Sequence, residues 1–225
     1  VDILVTEKGA QAKLKVGREV DTTGWIACDT HIHTLTWSGH GDAAEWERVL
    51  TLAAEGVELA IATDHNHQTD YRNLQKEKGA WKAYTAVTGN EVTTSSGHFN
   101  AFPLPPGGPL PNHNINNWPA LMEDIRAKGA EVIILNHPRW PGGSSPYENA
   151  KYDPVTGIRG DKSQFNFNGM EVVNSDTVEK DPLLLYRDWF GLVNQGEGVM
   201  AIGASDSHAV GVTVGGGRTY VKSKT

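Results

Sequence analysis

Apolar segments typical of buried strands alternate with segments typical of helices along most of this 225-residue chain. The predicted strands cover residues 25–28, 57–62, 84–91, 132–135, 169–173 and 199–202. Helices are predicted at 42–56, 119–128 and 182–193. Such alternation is typical of parallel β-α units, because two parallel strands need a long crossover between them. The pattern therefore predicts an α/β fold with parallel strands.

The first predicted helix shows the signals on which these boundaries depend. Asp42 and Glu45 have the spacing of a capping box, and Gly56 is a typical helix stop. Four apolar residues recur at helical spacing and are expected to form its buried face: Trp46, Val49, Leu50 and Ala53. We therefore expect one amphipathic helix between the first two strands.

We divide the chain into two parts. Residues 1–24 form a β-rich N-terminal segment, interpreted as the edge of an upstream domain, and residues 25–225 form one domain large enough for an enzyme. The polar, turn-rich segment 138–168 breaks the strand–helix alternation. A loop of this length is either a functional lid or a solvated insertion. Since the chain begins without Met, we expect a processed protein or part of a longer one.

Charge and composition exclude several classes of partner. The net charge of −7 argues against nucleic acid as the main partner, because phosphate binding needs a basic surface. No apolar run approaches the length of a membrane span. Cys28 is the single cysteine, so an internal disulfide is excluded, and we expect it to lie in the core. A small-molecule substrate, anionic or an ester, is the expected partner.

Metal-binding residue types follow nearly every predicted strand. They are Asp29, His31, His33, Asp64, His65, Glu91, His98, His137, Asp206 and His208. The carboxyl ends of parallel strands meet on one face of a fold, so these distant residues are expected to lie together. Imidazole and carboxylate groups suit Zn, Mn or Fe, and a carboxylate such as Glu91 can bridge two ions. Each motif alone is weak, but their joint occurrence predicts a metal site.

The ordered motifs resemble those of the PHP (polymerase and histidinol phosphatase) metallohydrolases. The matching segments are Asp29–Thr34, Ala62–His65, Gly89–Glu91, Gly97–His98, Asn136–Pro138 and Gly203–His208. The resemblance covers residue 25 to the end and is greatest to the stand-alone subgroup that includes carbaryl hydrolases. It implies a distorted seven-stranded (β/α) barrel of PHP type, similar to a TIM barrel, with a trinuclear metal site. It also favours a periplasmic or secreted location, since the nearer relatives are often exported.

The resemblance further implies which residues bind each of two or three divalent ions, Zn, Mn or Fe. The first ion would be held by His31, His33, Glu91 and Asp206, and the second by Glu91, His98 and His137. The third would be held by His40, His65 and His208, where His40 is placed by its distance from His33. Asp29 and Asp64 would orient imidazoles, whereas His67 and His113 match no motif and are expected on the surface or in loops.

The expected reaction is hydrolysis by a metal-bridging hydroxide, which attacks phosphorus or carbonyl carbon. Glu91 and Asp206 are predicted to be catalytic, and either His208 or Asp64 would protonate the leaving group. Arg139 and Arg218 are candidates for binding a substrate anion, with an exposed or paired surface arginine as the alternative for each.

Three functions compete at this point. A phosphoesterase acting on a small substrate is the leading hypothesis, and a carboxylester or carbamate hydrolase is the second. The second would need an apolar pocket, to which Trp37, Phe99 and Trp140 would contribute unless they serve in packing. A non-catalytic metal-binding module ranks last, because the set of ligands is complete.

Overall fold

The computed structural model describes residues 2–7, 10–15, 20–140, 145–160, 165–175 and 183–223. Its strands are β1 Asp2–Glu7, β2 Ala10–Lys15, β3 Trp25–Asp29, β4 Leu59–Ala62, β5 Thr85–Thr88, β6 Asn90–Thr94, β7 Gly97–Phe102, β8 Val132–Leu135, β9 Gly169–Asn174, β10 Met200–Ala204 and β11 Thr219–Lys222. Its helices are α1 Leu35–Ser38, α2 Glu45–Ala54, α3 Arg72–Glu77, α4 Trp118–Ala127, α5 Pro146–Asn149 and α6 Leu184–Asn194.

Two sheets form the body of the fold. One has the order β11-β3-β4-β5 and the other β10-β9-β8-β7-β6, while β1 and β2 form a separate antiparallel hairpin. The pairs β3–β4, β4–β5, β8–β9 and β9–β10 are parallel. The predicted α/β class is therefore confirmed. Sequence periodicity missed two antiparallel strands, β7 between β6 and β8, and β11 beside β3.

The two sheets meet along two seams. At one seam only Gly89 separates β5 from β6, and a side chain there would come within 2.9 Å of Ile61 and 3.0 Å of the Ala62 carbonyl oxygen. Beyond it, a single parallel bridge joins His65 to Glu91. At the other seam, Ile32 pairs with Ser207 in the same way. The described residues thus form two sheets, and not one closed ladder of seven strands as expected.

The larger hydrophobic core lies between the five-stranded sheet and helices α4 and α6. Leu121 and Ile125 of α4 pack there with Leu192 of α6 against residues such as Phe99 and Ile133. Asn117 caps α4, because its side-chain oxygen accepts a hydrogen bond from the Ala120 N–H at 3.1 Å. The smaller core places Val49 and Leu52 of α2 against Ile32 and Ala60. Both cores hold the strand ends in place.

The predicted start of α2 was wrong, and its buried face was predicted only in part, since Val49 is buried and Ala53 packs against the smaller core as expected. The helix begins at Glu45, and the N–H of its preceding residue, Ala44, donates to the Glu47 carboxylate at 2.9 Å. Asp42 lies outside the helix and accepts a hydrogen bond from the Val210 N–H at 2.7 Å. Trp46 and Leu50 are exposed, whereas the buried residues of the helix are Arg48, Val49 and Leu52. Arg48 replaces an apolar residue on this face because it binds loop carbonyl oxygens.

The described parts of the long segment 138–168 are packed against the core. Tyr147, Tyr152 and Phe165 are buried there, and the Tyr152 hydroxyl donates to the Asp188 carbonyl oxygen at 2.6 Å. Residues 141–144 and 161–164 of this segment, and the predicted helix start at 182, lie outside the described residues. Within the described part of the chain, no helix has the length and apolar character needed to cross a membrane.

Candidate metal centre

The predicted donors converge where the carboxyl ends of the strands from both sheets meet. His31 and His33 follow β3, His65 follows β4, Glu91 and His98 lie in β6 and β7, His137 follows β8, and Asp206 and His208 follow β10. His31, His33 and Glu91 have no exposed surface, and Asp206 is 2% exposed. His65, His98 and His208 are partly buried and face the cleft described below. The sequence prediction of convergence is confirmed by this placement.

Glu91 is the centre of the cluster. Its Oε1 lies 3.2 Å from His31 Nε2, 3.2 Å from His98 Nδ1 and 3.4 Å from His137 Nε2. Its Oε2 lies 2.5 Å from His65 Nδ1. One buried carboxylate thus contacts imidazoles from four strand ends, which is the arrangement needed to bridge two ions.

Asp206 forms the second carboxylate of the centre. Its Oδ1 lies 3.2 Å from both His31 Nε2 and His33 Nε2. Asp206 and His137 both have left-handed backbone, with φ values of 54° and 27°. Such conformations are uncommon for residues other than glycine and concentrate at functional sites, where surrounding contacts hold them. Here they turn the chain at the ends of β10 and β8.

A third set of imidazoles lies at the rim. His65 Nε2 is 2.9 Å from His40 Nε2 and 3.5 Å from His208 Nε2, and the His33 and His208 rings stack at 3.9 Å. Gly41 permits this packing, because a side chain there would come within 2.3 Å of the His208 carbonyl oxygen. His40 itself is exposed.

Four groups of ligand atoms are close enough to hold an ion. They are His33/His65/His208, His31/His137/Asp206, His31/His33/Glu91 and His65/Glu91/His98. The third group contains three of the four residues predicted for the first ion. The groups differ from the predicted sets in two ways. His33 takes the place predicted for His40 beside His65 and His208, and His137 groups with His31 and Asp206.

The chemistry of the donor set fits a transition metal. His137 Nδ1 is buried and lacks a hydrogen-bond partner among the described residues, and the buried His33 Nε2 lies 3.2 Å from Asp206 Oδ1 without the geometry of a hydrogen bond. A buried polar atom without a partner is unfavourable, and metal coordination removes this penalty for a ring nitrogen. Nitrogen donors mixed with two carboxylates suit Zn, Mn or Fe better than Mg or Ca, which prefer oxygen ligands.

The electrostatics differ among the imidazoles. Burial opposes protonation of His31, but the carboxylates of Asp206, Glu171 and Glu91 raise its pKa well above the ordinary value. Burial lowers the pKa of His33 to about 4, and burial with the nearby His33 lowers the pKa of His208 to about 3. His33 and His208 are therefore neutral at pH 7 and ready to bind a cation.

Two acidic residues predicted to orient imidazoles contact other groups. Asp64 Oδ1 accepts from the Thr34 N–H at 2.6 Å and from the Ser38 hydroxyl at 2.7 Å, and Ser38 Oγ in turn lies 3.0 Å from His33 Nδ1. Asp29 accepts from the His31 N–H at 3.2 Å and the Gly215 N–H at 2.7 Å. Both carboxylates fix the backbone of ligand loops. Neither lies among the described residues that line the cleft, so proton donation by Asp64 stays a prediction.

The two candidate arginines lie outside this cluster. Arg139 forms a two-pronged ion pair with the buried Asp188, with N–O distances of 2.6 and 2.8 Å. Arg218 donates to the carbonyl oxygens of Gly215 and, at 3.4 Å, of Glu55. Neither belongs to the described lining of the cleft, and substrate binding by either stays a prediction.

Two contributing residues escaped the sequence analysis. Glu171 is fully buried in β9, and its Oε1 lies 2.6 Å from His31 Nδ1. Arg48 donates to the carbonyl oxygens of His33 and Ser207, which belong to two ligand loops. A single charged residue within an apolar strand, as in Gly169–Asn174, was the available signal for Glu171. Arg48 had no comparable signal, because charged residues are ordinary on helices.

The donors open into a cleft of about 600 Å³. Its described lining consists of His40, His65, Thr94, Ser95, Gly97, His98, His137, Trp140, Pro146, Asp206 and His208, with no lysine or arginine among them. Trp140 meets the His137 ring edge-on at 4.6 Å. Phe99 is buried in the core, and Trp37 stacks on His67 at 4.1 Å, so only Trp140 of the three predicted aromatic residues lines the cleft.

Comparison with known proteins is informative about the fold alone. No protein-family profile and no curated protein matches the chain. Among solved structures, the chain is similar to an amidohydrolase from Chromobacterium violaceum, a structure with bound sulfate and no metal. The TM-score is 0.51 at 15% identity, with 88% of this chain and 92% of the other covered. The two chains therefore share a fold.

Proposed function

We propose that this protein is a metal-dependent hydrolase. The observation that carries the proposal is the buried carboxylate of Glu91, which lies within 3.7 Å of the imidazoles of His31, His33, His65, His98 and His137. Imidazoles gathered around one carboxylate at the floor of a cleft are typical of catalytic metal sites and unusual in a purely structural core. The similar fold of an amidohydrolase is consistent with this function.

The site is proposed to hold two or three ions of Zn, Mn or Fe. Glu91 would serve two of them, because its oxygens face different histidines, His31 at Oε1 and His65 at Oε2. When bound, such ions supply Lewis acidity and a nucleophile at neutral pH. Membership of the PHP family belongs to the same proposal and is supported by the ordered motifs.

The chain's own residues prepare the cleft for this chemistry. Asn136 Nδ2 donates to Glu91 Oε1 at 2.8 Å and so fixes the carboxylate plane. Thr93 Oγ1, 2.8 Å from His65 Nδ1, orients that ring. His208 lines the cleft and has a pKa lowered to about 3 by burial and by His33, so it binds as a neutral base. These contacts place the donors before substrate arrives.

Hydrolysis of a phosphoester is the favoured reaction. Glu91 and Asp206 are the two carboxylates within the donor groups, so two divalent ions would leave a positive charge at the cleft floor. A phosphate anion is attracted to such a floor without help from arginine. We propose a small phosphorylated substrate on this basis.

A carboxylester or carbamate hydrolase is the second candidate. The observations that favour it are the indole of Trp140 in the cleft and the lack of lysine or arginine in the described lining. An uncharged ester needs no cationic side chain and benefits from an apolar wall. The two candidates therefore differ in the atom that is attacked, phosphorus or carbonyl carbon, and in the charge of the preferred substrate.

One assay separates them. Metal-stripped protein is reloaded with Zn or Mn and given nitrophenyl phosphate, bis(nitrophenyl) phosphate, nitrophenyl acetate and a nitrophenyl carbamate. Faster chelator-sensitive turnover of either phosphoester supports the favoured reaction, and faster turnover of acetate or carbamate supports the second. If protein shown to hold metal turns over none of the four substrates, the proposal of a phosphoester, carboxylester or carbamate hydrolase is contradicted.

A further inference from the structure

Glu171 is a fully buried carboxylate in β9 on which three donors converge. Its Oε1 lies 2.6 Å from His31 Nδ1. Its Oε2 accepts from the backbone N–H of His137 at 2.7 Å and from Asn174 Nδ2 at 2.9 Å. Glu171 is absent from the described lining of the cleft, so it contacts the candidate metal ligands from the side away from the cleft.

The contact with His31 determines which ring nitrogen faces the cluster. Because Nδ1 donates its proton to Glu171, Nε2 is the atom left to bind a cation. His31 Nε2 lies 3.2 Å from oxygens of both Glu91 and Asp206, which is the centre of the cluster. Without Glu171 the ring could adopt the other tautomer or rotate.

The contact with His137 is made to its backbone N–H and stabilises the backbone conformation of that residue. His137 has φ of 27°, a conformation that costs of order 1–3 kcal/mol and needs surrounding contacts to persist. Its N–H bond to Glu171 is one such contact. The turned backbone carries the ring to Glu91, with Nε2 at 3.4 Å from Oε1.

Asn174 extends the network to Asp206. Its Nδ2 donates to Glu171 and lies 3.1 Å from Asp206 Oδ2. Glu171 therefore reaches His31, His137 and Asp206, and these are the members of one of the four ion-binding groups. We infer that Glu171 is a positioning residue that aligns this one group for its ion, an inference that rests on the proposed metal site.

The decisive variant is Glu171→Gln, which preserves the shape of the side chain. Glutamine offers one acceptor oxygen where three donors converge, and its amide N–H groups would face another donor. We expect the affinity for Zn at one site to fall about 10- to 100-fold, the range found when an outer partner of a ligand is removed. Chelator competition on the metal-stripped protein measures this affinity.

The matched control is Glu58→Gln. Glu58 is a partly buried carboxylate that accepts from the Ala27 N–H at 2.9 Å, in the middle of β3. Its replacement is expected to leave each Zn affinity within about twofold of the wild type. A loss of equal size in both variants would show a general structural effect and overturn the inference.

A second measurement does not require that Glu171→Gln folds. In wild-type protein with ¹⁵N-labelled histidine, His31 is expected to show a slowly exchanging Nδ1–H proton, identified by its loss in His31→Asn. A wild-type His31 protonated at Nε2 instead would overturn the inference. So would Glu171→Gln protein with wild-type Zn affinity. Wild-type protein that binds no Zn would contradict the proposed function, while the His31 resonance would still test the Glu171 contact.

Discussion

Arg48 Nε donates to the carbonyl oxygen of His33 at 2.9 Å and joins helix α2 to the loop that carries two ligands. Arg48 Nη2 also donates to the Ser207 carbonyl oxygen at 3.0 Å, so one buried guanidinium holds a loop from each of the two sheets at the seam of Ile32 and Ser207. Hydrogen bonds from a charged group contribute about 1.5–3 kcal/mol each, and their loss leaves buried carbonyl groups unpaired.

Arg48→Met is therefore expected to destabilise the metal-free protein by about 2–5 kcal/mol. Urea unfolding followed by circular dichroism measures the change. Arg126→Met, on the exposed side of α4, is the control and is expected to change stability much less. An Arg48→Met variant as stable as the wild type would show that the two loops are held by other contacts.

Replacement of Glu91 is expected to abolish function. Glu91→Ala removes the carboxylate that contacts five imidazoles, so bound metal and turnover should both fall to background. Elemental analysis and the nitrophenolate assay measure the two quantities. Glu123→Ala, an exposed residue of α4, should retain both. Full activity of Glu91→Ala would refute the proposed site.

Metal affinity is expected to rise with pH. The pKa of His31 is raised well above its ordinary value of about 6.5, because carboxylates of Asp206, Glu171 and Glu91 outweigh the effect of burial. Its proton is therefore present at neutral pH and must leave when Nε2 binds an ion. His33 and His208, with pKa values lowered to about 4 and about 3, release none. Acidification from pH 8 to 6 should weaken Zn binding.

Calorimetry in buffers of different ionisation enthalpy tests this proton release. A heat of Zn binding that varies with the buffer confirms it, and its slope gives the number of protons. A buffer-independent heat at pH 7 would show that His31 is already deprotonated before the ion arrives. The same titration on Glu58→Gln should match the wild type, since that residue lies away from the donors.

Arg139 is expected to be structural. Its ion pair with Asp188, which has no exposed surface, would be broken in Arg139→Ala and leave a buried charge unpaired. The expected loss of stability is about 3–5 kcal/mol. The double variant Arg139→Met/Asp188→Leu should recover most of it, because no charge remains. A large rise in KM for a phosphoester at unchanged stability would instead assign Arg139 to substrate binding.

Much of the site could be predicted because the ligand residues follow directly after strands in the sequence. A ligand type at the end of each strand needs only the strand boundary and the rule that parallel strand ends meet, as for His31, Glu91 and Asp206. The grouping of donors was less accessible. His33 joins His65 and His208 because loop conformation, including the left-handed Asp206, sets the final ring positions. Spacing along the chain carries no such information.

The sheet arrangement was also beyond local patterns. Strand β7 pairs antiparallel with both its neighbours. This pairing is determined by tertiary packing and not by the polar–apolar pattern of the strand. The start of α2 was misplaced because Asp42 is a good capping residue that instead binds the Val210 N–H of a distant loop. Buried charges such as Glu171 are equally hard to predict from local patterns, because their main partners, such as His31 and His137, lie far away in sequence.

The single bridges at the seams have a consequence for cooperativity. Each sheet supplies donors to the group His31/His33/Glu91, so an ion held there would act as a cross-link between two sheets that are joined at each seam by a single bridge. A cross-link between residues distant in sequence restricts the unfolded chain much as a disulfide does. We therefore expect bound metal to make unfolding more cooperative, because the cross-link would join the two sheets beside the bridge from Ile32 to Ser207.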